Sequence, residues 1–114
     1  MDNVIIREAS EKDIPIILGL LYDLGRPKPQ KDSDVETFRI LVTKYLEDSD
    51  KKILVAVLDD VKIVGMLSMI FLPRLNHKTL ETYIPELVIL ETYRAKGVGK
   101  KLISSCMTIA KEKK

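Results

Sequence analysis

Chemistry-bearing residues concentrate between Tyr83 and Ala110, where an apolar run, Ile84 to Leu90, leads into Arg94-x-x-Gly97-x-Gly99 and then into a helical pattern. Two glycines one residue apart let backbone N–H groups converge on one point. The helix that follows would add its unpaired first-turn N–H groups and the positive end of its dipole, and Arg94, Lys96, Lys100 and Lys101 add full charges. Such a turn suits a pyrophosphate. The spacing fits neither common phosphate motif: Leu102 stands where a dinucleotide fingerprint needs its third Gly, and Arg94 where a P-loop needs its first.

What positions this turn must be a single domain, since the chain has 114 residues. An apolar share of 46% beside 32% charged residues is that of a soluble globular protein. No run approaches the roughly 18 apolar residues of a membrane span, and the Met1-Asp2-Asn3 start has no signal-peptide character, so cytoplasm is the expected location. One cysteine, Cys106, and one histidine, His77, give neither an internal disulfide nor a zinc site, and no metal is expected. The net charge of +2 conceals an asymmetry: from Arg94 to Lys114 seven basic residues face one acid, Glu112, whereas residues 1–93 are net acidic. Positive charge gathers where phosphates would bind. No helix-turn-helix, zinc knuckle or aromatic-glycine signature accompanies it, which argues against nucleic acid as the partner.

Along the chain, Val4-Ile5-Ile6 reads as a strand, and Ser10 with Asp13 as the cap of a helix bearing Ile14, Ile17, Leu18, Leu21 and Leu24 on one face. Gly25, Pro27 and Pro29 end it, and Pro15 is admissible in its first turn. Ser33 and Glu36 form a second capping pattern ahead of Val35, Phe38, Val42, Tyr45 and Leu46 at helical spacing. Strands are expected over Ile53 to Leu58 and Val61 to Leu72, joined at Asp59-Asp60, with Gly65 marking a bulge or a close backbone approach. A loop at Arg74 to Lys78, containing His77, separates these from a strand over Thr79 to Leu90; this His reads as a solvated loop residue. The last helix carries Val98, Leu102, Ile103, Cys106, Ile109 and Ala110 on its apolar face, so Cys106 reads as a packed thiol.

The motif Arg94-x-x-Gly97-x-Gly99, placed between a strand and a helix, resembles the acyl-CoA signature of the GNAT superfamily of N-acyltransferases. The opening strand followed by Ser10 to Asp13, and the pattern Ile63-Val64-Gly65-Met66-Leu67, are similar to the same family. The resemblance implies an α/β (α+β) fold: a mixed, mostly antiparallel sheet with flanking helices over residues 1–114, lacking the usual C-terminal strand, helix and hairpin. It implies acetyl-CoA as co-substrate and a primary amine of unidentified class as acceptor. It further implies that backbone groups of Leu87, Val88 and Ile89 pair with the pantetheine arm, that an N–H near Val88 or Ile89 polarises the thioester, and that Arg94, Ala95, Lys96, Gly97, Val98, Gly99 and Lys100 hold the pyrophosphate. Glu86 is the candidate base, with Pro85 one residue out of register and Glu81 and Tyr83 as alternatives. The family's first two helices often line the acceptor side.

A second reading stays open beside the transferase. The chain ends on a helix, with an apolar strand, Leu87-Val88-Ile89, whose far edge has no obvious partner. A fragment of a longer protein and a short protein that completes its sheet with another chain both fit this, and the latter implies a homodimer or strand-exchanged oligomer. The corresponding function is a non-catalytic CoA-binding or scaffolding module.

Overall fold

A computed structural model describes residues 3–73, 75, 78 and 80–113. Four strands, β1 (Val4–Glu8), β2 (Lys51–Leu58), β3 (Lys62–Pro73) and β4 (Leu80–Ile89), form one antiparallel sheet in sequence order. Helices α1 (Ile14–Asp23) and α2 (Asp32–Glu47) lie between β1 and β2 in the chain, and α3 (Val98–Lys113) follows β4. His77 lies outside the described residues.

Period-2 alternation gives the sheet two apolar faces. Ile53, Val55, Val57, Met66 and Val88 pack against Ile14, Ile17 and Leu20 of α1 and Val42 of α2. Leu54, Ala56, Leu67 and Met69 pack on the other face against Val98, Leu102 and Cys106 of α3. Covering both faces explains why β2 and β3 read as nearly continuous apolar runs. The α3 stripe holds except at Ile103, which is 39% exposed; Val98, Leu102 and Cys106 are buried against the sheet, with Ile109 and Ala110 partly buried beside them. Val35, near the start of α2, is likewise 48% exposed.

The caps divide. In the 3-10 turn Glu11–Asp13 that leads into α1, the Ser10 N–H donates to Asp13 Oδ2 at 2.8 Å, and Arg7 grips both Asp13 oxygens at 2.8 and 3.1 Å. At α2, helical structure already begins at Asp32, so Ser33 lies inside the helix rather than at its cap. Asp34 Oδ2 instead accepts the Gln30 N–H at 2.9 Å, back in the loop. The β2–β3 hairpin turns through Asp59 and Asp60, both at positive φ (54° and 61°), the handedness a tight hairpin needs.

Gly65 is both bulge and close approach. An extra residue interrupts the β2–β3 register beside it, and a Cβ there would sit 2.7 Å from Ile89 Cδ1 and 3.1 Å from the Val88 carbonyl oxygen. Only hydrogen leaves room for β4 and α3 to close over β3 at this point.

Candidate functional site

Strand β4 is the last of the sheet, and its ladder decides which of its backbone groups face outward. The Leu90 N–H donates to the Val64 carbonyl at 2.9 Å, and Ile89 lies opposite Gly65. That makes Gly65–Ile89 a non-hydrogen-bonded pair, so the N–H and C=O of Leu87 and Ile89 point away from β3 and those of Val88 point toward Met66. Of the three residues assigned to a pantetheine contact, Leu87 and Ile89 turn their backbone groups outward, where the Ile89 carbonyl meets Arg94, and Val88 gives its backbone to the sheet.

The edge leads directly into the turn. A three-residue 3-10 helix, Glu91–Tyr93, brings the chain round, and the Arg94 Nε donates to the Ile89 carbonyl at 2.8 Å. Ala95 (φ 61°) and Gly97 (φ 88°) adopt left-handed backbone conformations, whereas Gly99 does not and lies in the first turn of α3. The turn is therefore built by Ala95 and Gly97 rather than by the two glycines. Nothing about an alanine announces such a conformation in advance, which costs a residue with a Cβ about 1–2 kcal/mol. The Lys101 N–H bonds to the Gly97 carbonyl at 3.1 Å, so the N–H groups of Val98, Gly99 and Lys100 precede the first intrahelical bond and open on the turn. A surface hollow beside them is lined by Lys96, Lys100, Lys101, Ser104 and Ser105, and Lys101 Nζ donates to the Val4 carbonyl at 3.2 Å. Backbone donors, a helix start and lysines thus meet in one place, an arrangement that can hold a phosphate.

Three residues before Ile89, Glu86 sits on the sheet face that carries Val88 and Met66, toward α1 and α2. A register shift in β4 falls between the pairs Ser68–Glu86 and Ile70–Tyr83, taking in Pro85, and the Glu86 N–H donates to the Ser68 hydroxyl oxygen at 3.1 Å. That hydroxyl in turn donates to Glu86 Oε1. Arg26, in the loop after α1, donates to Glu86 Oε2 from Nη2 at 3.0 Å and from Nε at 3.3 Å, and reaches the Pro85 carbonyl at 3.4 Å. Glu86 faces the helices with its carboxylate held at both oxygens, and Pro85 offers a carbonyl. Tyr83 is 55% exposed and Glu81 is exposed, both beyond the shift.

Tyr45 of α2 closes this corner, its hydroxyl donating to the Met69 carbonyl at 3.3 Å. Burial first of all, and then the charges of Glu86 and Asp48, push its phenol up, against a hydrogen-bonding contribution from Ser68 that lowers it. Ser68, Arg26 and the Tyr45 hydroxyl are the members of this corner that sequence reasoning missed. Ser68 had left a signal, as the lone hydroxyl in the apolar run of β3; Arg26, sixty positions from Glu86, had left none. Cys106 is buried under α3, and burial pushes its thiol up, as for a packed group. Among the described residues no cluster of three or more potential metal ligands occurs, and no helix is long and apolar enough to cross a membrane.

The acetyltransferase (GNAT) family model matches residues 18–114, a span that includes the edge, the turn and the Glu86 corner. The chain belongs to the GNAT acetyltransferase family. No curated protein matches it. Among solved structures, a transcriptional regulator from Bacillus halodurans is similar at 27% identity and a TM-score of 0.83, over 96% of this chain and 75% of that one. A GNAT family acetyltransferase from Staphylococcus aureus shares the fold at 23% identity and TM-score 0.79, over 96% and 79% of the two chains. So does an aminoglycoside acetyltransferase from an uncultured soil sample, solved with sisomicin, at 23% identity and TM-score 0.76, over 98% and 72%. The GNAT fold of this chain is thus the four-stranded sheet, its three helices and the turn at the end of β4.

Proposed function

We propose that this GNAT chain binds acetyl-CoA along the outer edge of β4 and in the 94–100 turn, and transfers the acetyl group to a primary amine with Glu86 as base. One observation carries the reading: a single strand joins a fixed carboxylate, an open backbone edge and an anion-suited turn within Glu86 to Lys100. The pantetheine arm would hydrogen-bond to the outward N–H and C=O of Leu87, and the pyrophosphate would take N–H groups from Ala95 to Lys100. Glu86 takes the proton of the acceptor ammonium, and the freed amine attacks the thioester carbonyl. The oxyanion that forms is held by the outward N–H of Ile89; its collapse expels the CoA thiolate, which takes up through solvent the proton shed by the attacking nitrogen, and leaves the neutral amide. The ladder favours Ile89 over Val88 for this role, since the Val88 N–H is turned to β3.

The test is acetyl-CoA titration by calorimetry together with thiol release in the presence of an amine panel. Glu86→Gln is expected to lower turnover by about 10²–10⁴-fold while leaving acetyl-CoA affinity within about twofold of the parent, because the carboxylate lies off the cofactor edge. A chain that does not bind acetyl-CoA defeats the transferase reading; full turnover in Glu86→Gln defeats the assignment of the base. The outward groups of Leu87 and Ile89 also favour the second reading, a non-catalytic CoA-binding or scaffolding module that self-associates. Saturable CoA binding without thiol release, with a dimer in sedimentation, would select it.

A further inference from the structure

Two hollows in the α1/α2 layer share a wall. The inner one is lined by Ser68 and Glu86 of the sheet, by Leu41, Val42 and Tyr45 of α2 and by Leu21 of α1. The outer one continues past Leu21, Leu41 and Val42 to Phe38 and Tyr22, with Arg26 at its rim. Together they form a groove that starts at a carboxylate and runs out over apolar side chains. Among the described residues lining it, only Glu86 and Arg26 are charged, and they pair with each other.

Resting on the transferase reading, we propose that this groove is the acceptor subsite and that the acceptor is a monoamine with one apolar arm, an aryl or branched alkyl group. The ammonium sits at Glu86 and the arm lies along Leu21, Leu41 and Val42 toward Phe38. Arg26 is 47% exposed at its side chain, and an ion pair so open to water contributes little, so an incoming ammonium displaces it from Glu86. A polycation finds no second carboxylate in the groove, and its remaining charges would lose water against leucine and phenylalanine. An apolar arm loses nothing there and removes Leu41, 57% exposed, from solvent.

The experiment titrates 2-phenylethylamine, 3-methylbutylamine and spermidine into the 114-residue chain, read by methyl-resolved NMR, with acetyl-CoA titrated in parallel. The two apolar monoamines are expected to saturate and to bind at least about tenfold tighter than spermidine, the scale on which an apolar pocket discriminates, shifting the methyls of Leu21, Leu41 and Val42. Leu41→Asp, at an exposed position that folding tolerates, is expected to weaken the monoamines and strengthen spermidine. Spermidine binding as tightly as phenylethylamine in the parent overturns the proposal, and so does a Leu41→Asp chain with both affinities unchanged. Failure of acetyl-CoA to bind falls on the transferase reading, whereas the amine preference is read independently of it.

Discussion

Ala95 and Gly97 show how little of a turn's cost is visible in residue names. Gly97 at φ 88° has open space around its Cα, so Gly97→Ala meets no clash and is penalised only by the left-handed backbone. A loss of about 1–2 kcal/mol is expected in urea denaturation. Gly99 is helical, with Ile89 Cγ1 4.0 Å from where a Cβ would lie, and Gly99→Ala is expected to be neutral or stabilising by up to about 1 kcal/mol. The two variants together separate folding from binding: if Gly99 serves the close approach of a pyrophosphate, its alanine variant keeps stability and loses CoA affinity. Equal destabilisation by both would mean that the turn is built otherwise.

Asp13 makes a second prediction at the same scale. The Arg7 hydrogen bonds above all, with the Ser10 backbone N–H, hold its carboxyl below the usual 3.8 against a desolvation that raises it. The folded chain therefore binds fewer protons than the unfolded one near that value, and the stabilisation is present above it and lost as pH falls through the lowered folded value. Asp13→Asn is expected to cost about 1.5–3 kcal/mol at pH 7, toward the lower end because Arg7 is partly exposed. The gap to the parent should narrow below pH 3.8. A gap that does not change with pH would show that the pair with Arg7 contributes nothing electrostatic.

At the scale of elements, β4 is held by its neighbours at one tight point. Gly65→Ala would drive a methyl to 2.7 Å from Ile89 Cδ1 and 3.1 Å from the Val88 carbonyl oxygen. The side chain can move and the carbonyl cannot, so a destabilisation of about 1–3 kcal/mol is expected in a denaturant titration. The shift also displaces Ile89, whose carbonyl meets Arg94, so acetyl-CoA affinity is expected to fall with it. A Gly65→Ala chain of unchanged stability would mean that β4 can move away from β3 without cost. The register shift around Pro85 works the other way: an edge strand tolerates a residue with no N–H, and next to it the Glu86 N–H donates to the Ser68 hydroxyl.

For the whole molecule, two cores share one sheet. Leu102 of α3 and Ile17 of α1 are fully buried on opposite faces. Leu102→Ala and Ile17→Ala are each expected to lower stability by about 2–5 kcal/mol, within a single cooperative transition, since β2 and β3 contribute side chains to both faces. Two separate transitions would show that the layers fold independently. The basic excess after Arg94 adds a further property at this scale, a concentration of positive charge at the end of the molecule where α3 begins.

Alternation and helical spacing determine local partners, which is why the order of elements, the two-faced apolar strands, Gly25 as a helix end and the Asp59-Asp60 hairpin were legible in the sequence. The turn after β4 was legible too, because glycines between an apolar run and a helical pattern announce a change of direction by type. Tertiary structure alone decided that Ala95 takes the left-handed position, that Val88 turns its backbone inward while Ile89 turns outward, and that Arg26 meets Glu86. Each of these depends on register or on contacts between residues far apart in the chain. A pattern with a period of two or 3.6 residues fixes which face a side chain occupies, but the pairing of strands and the packing of helices fix what it meets there.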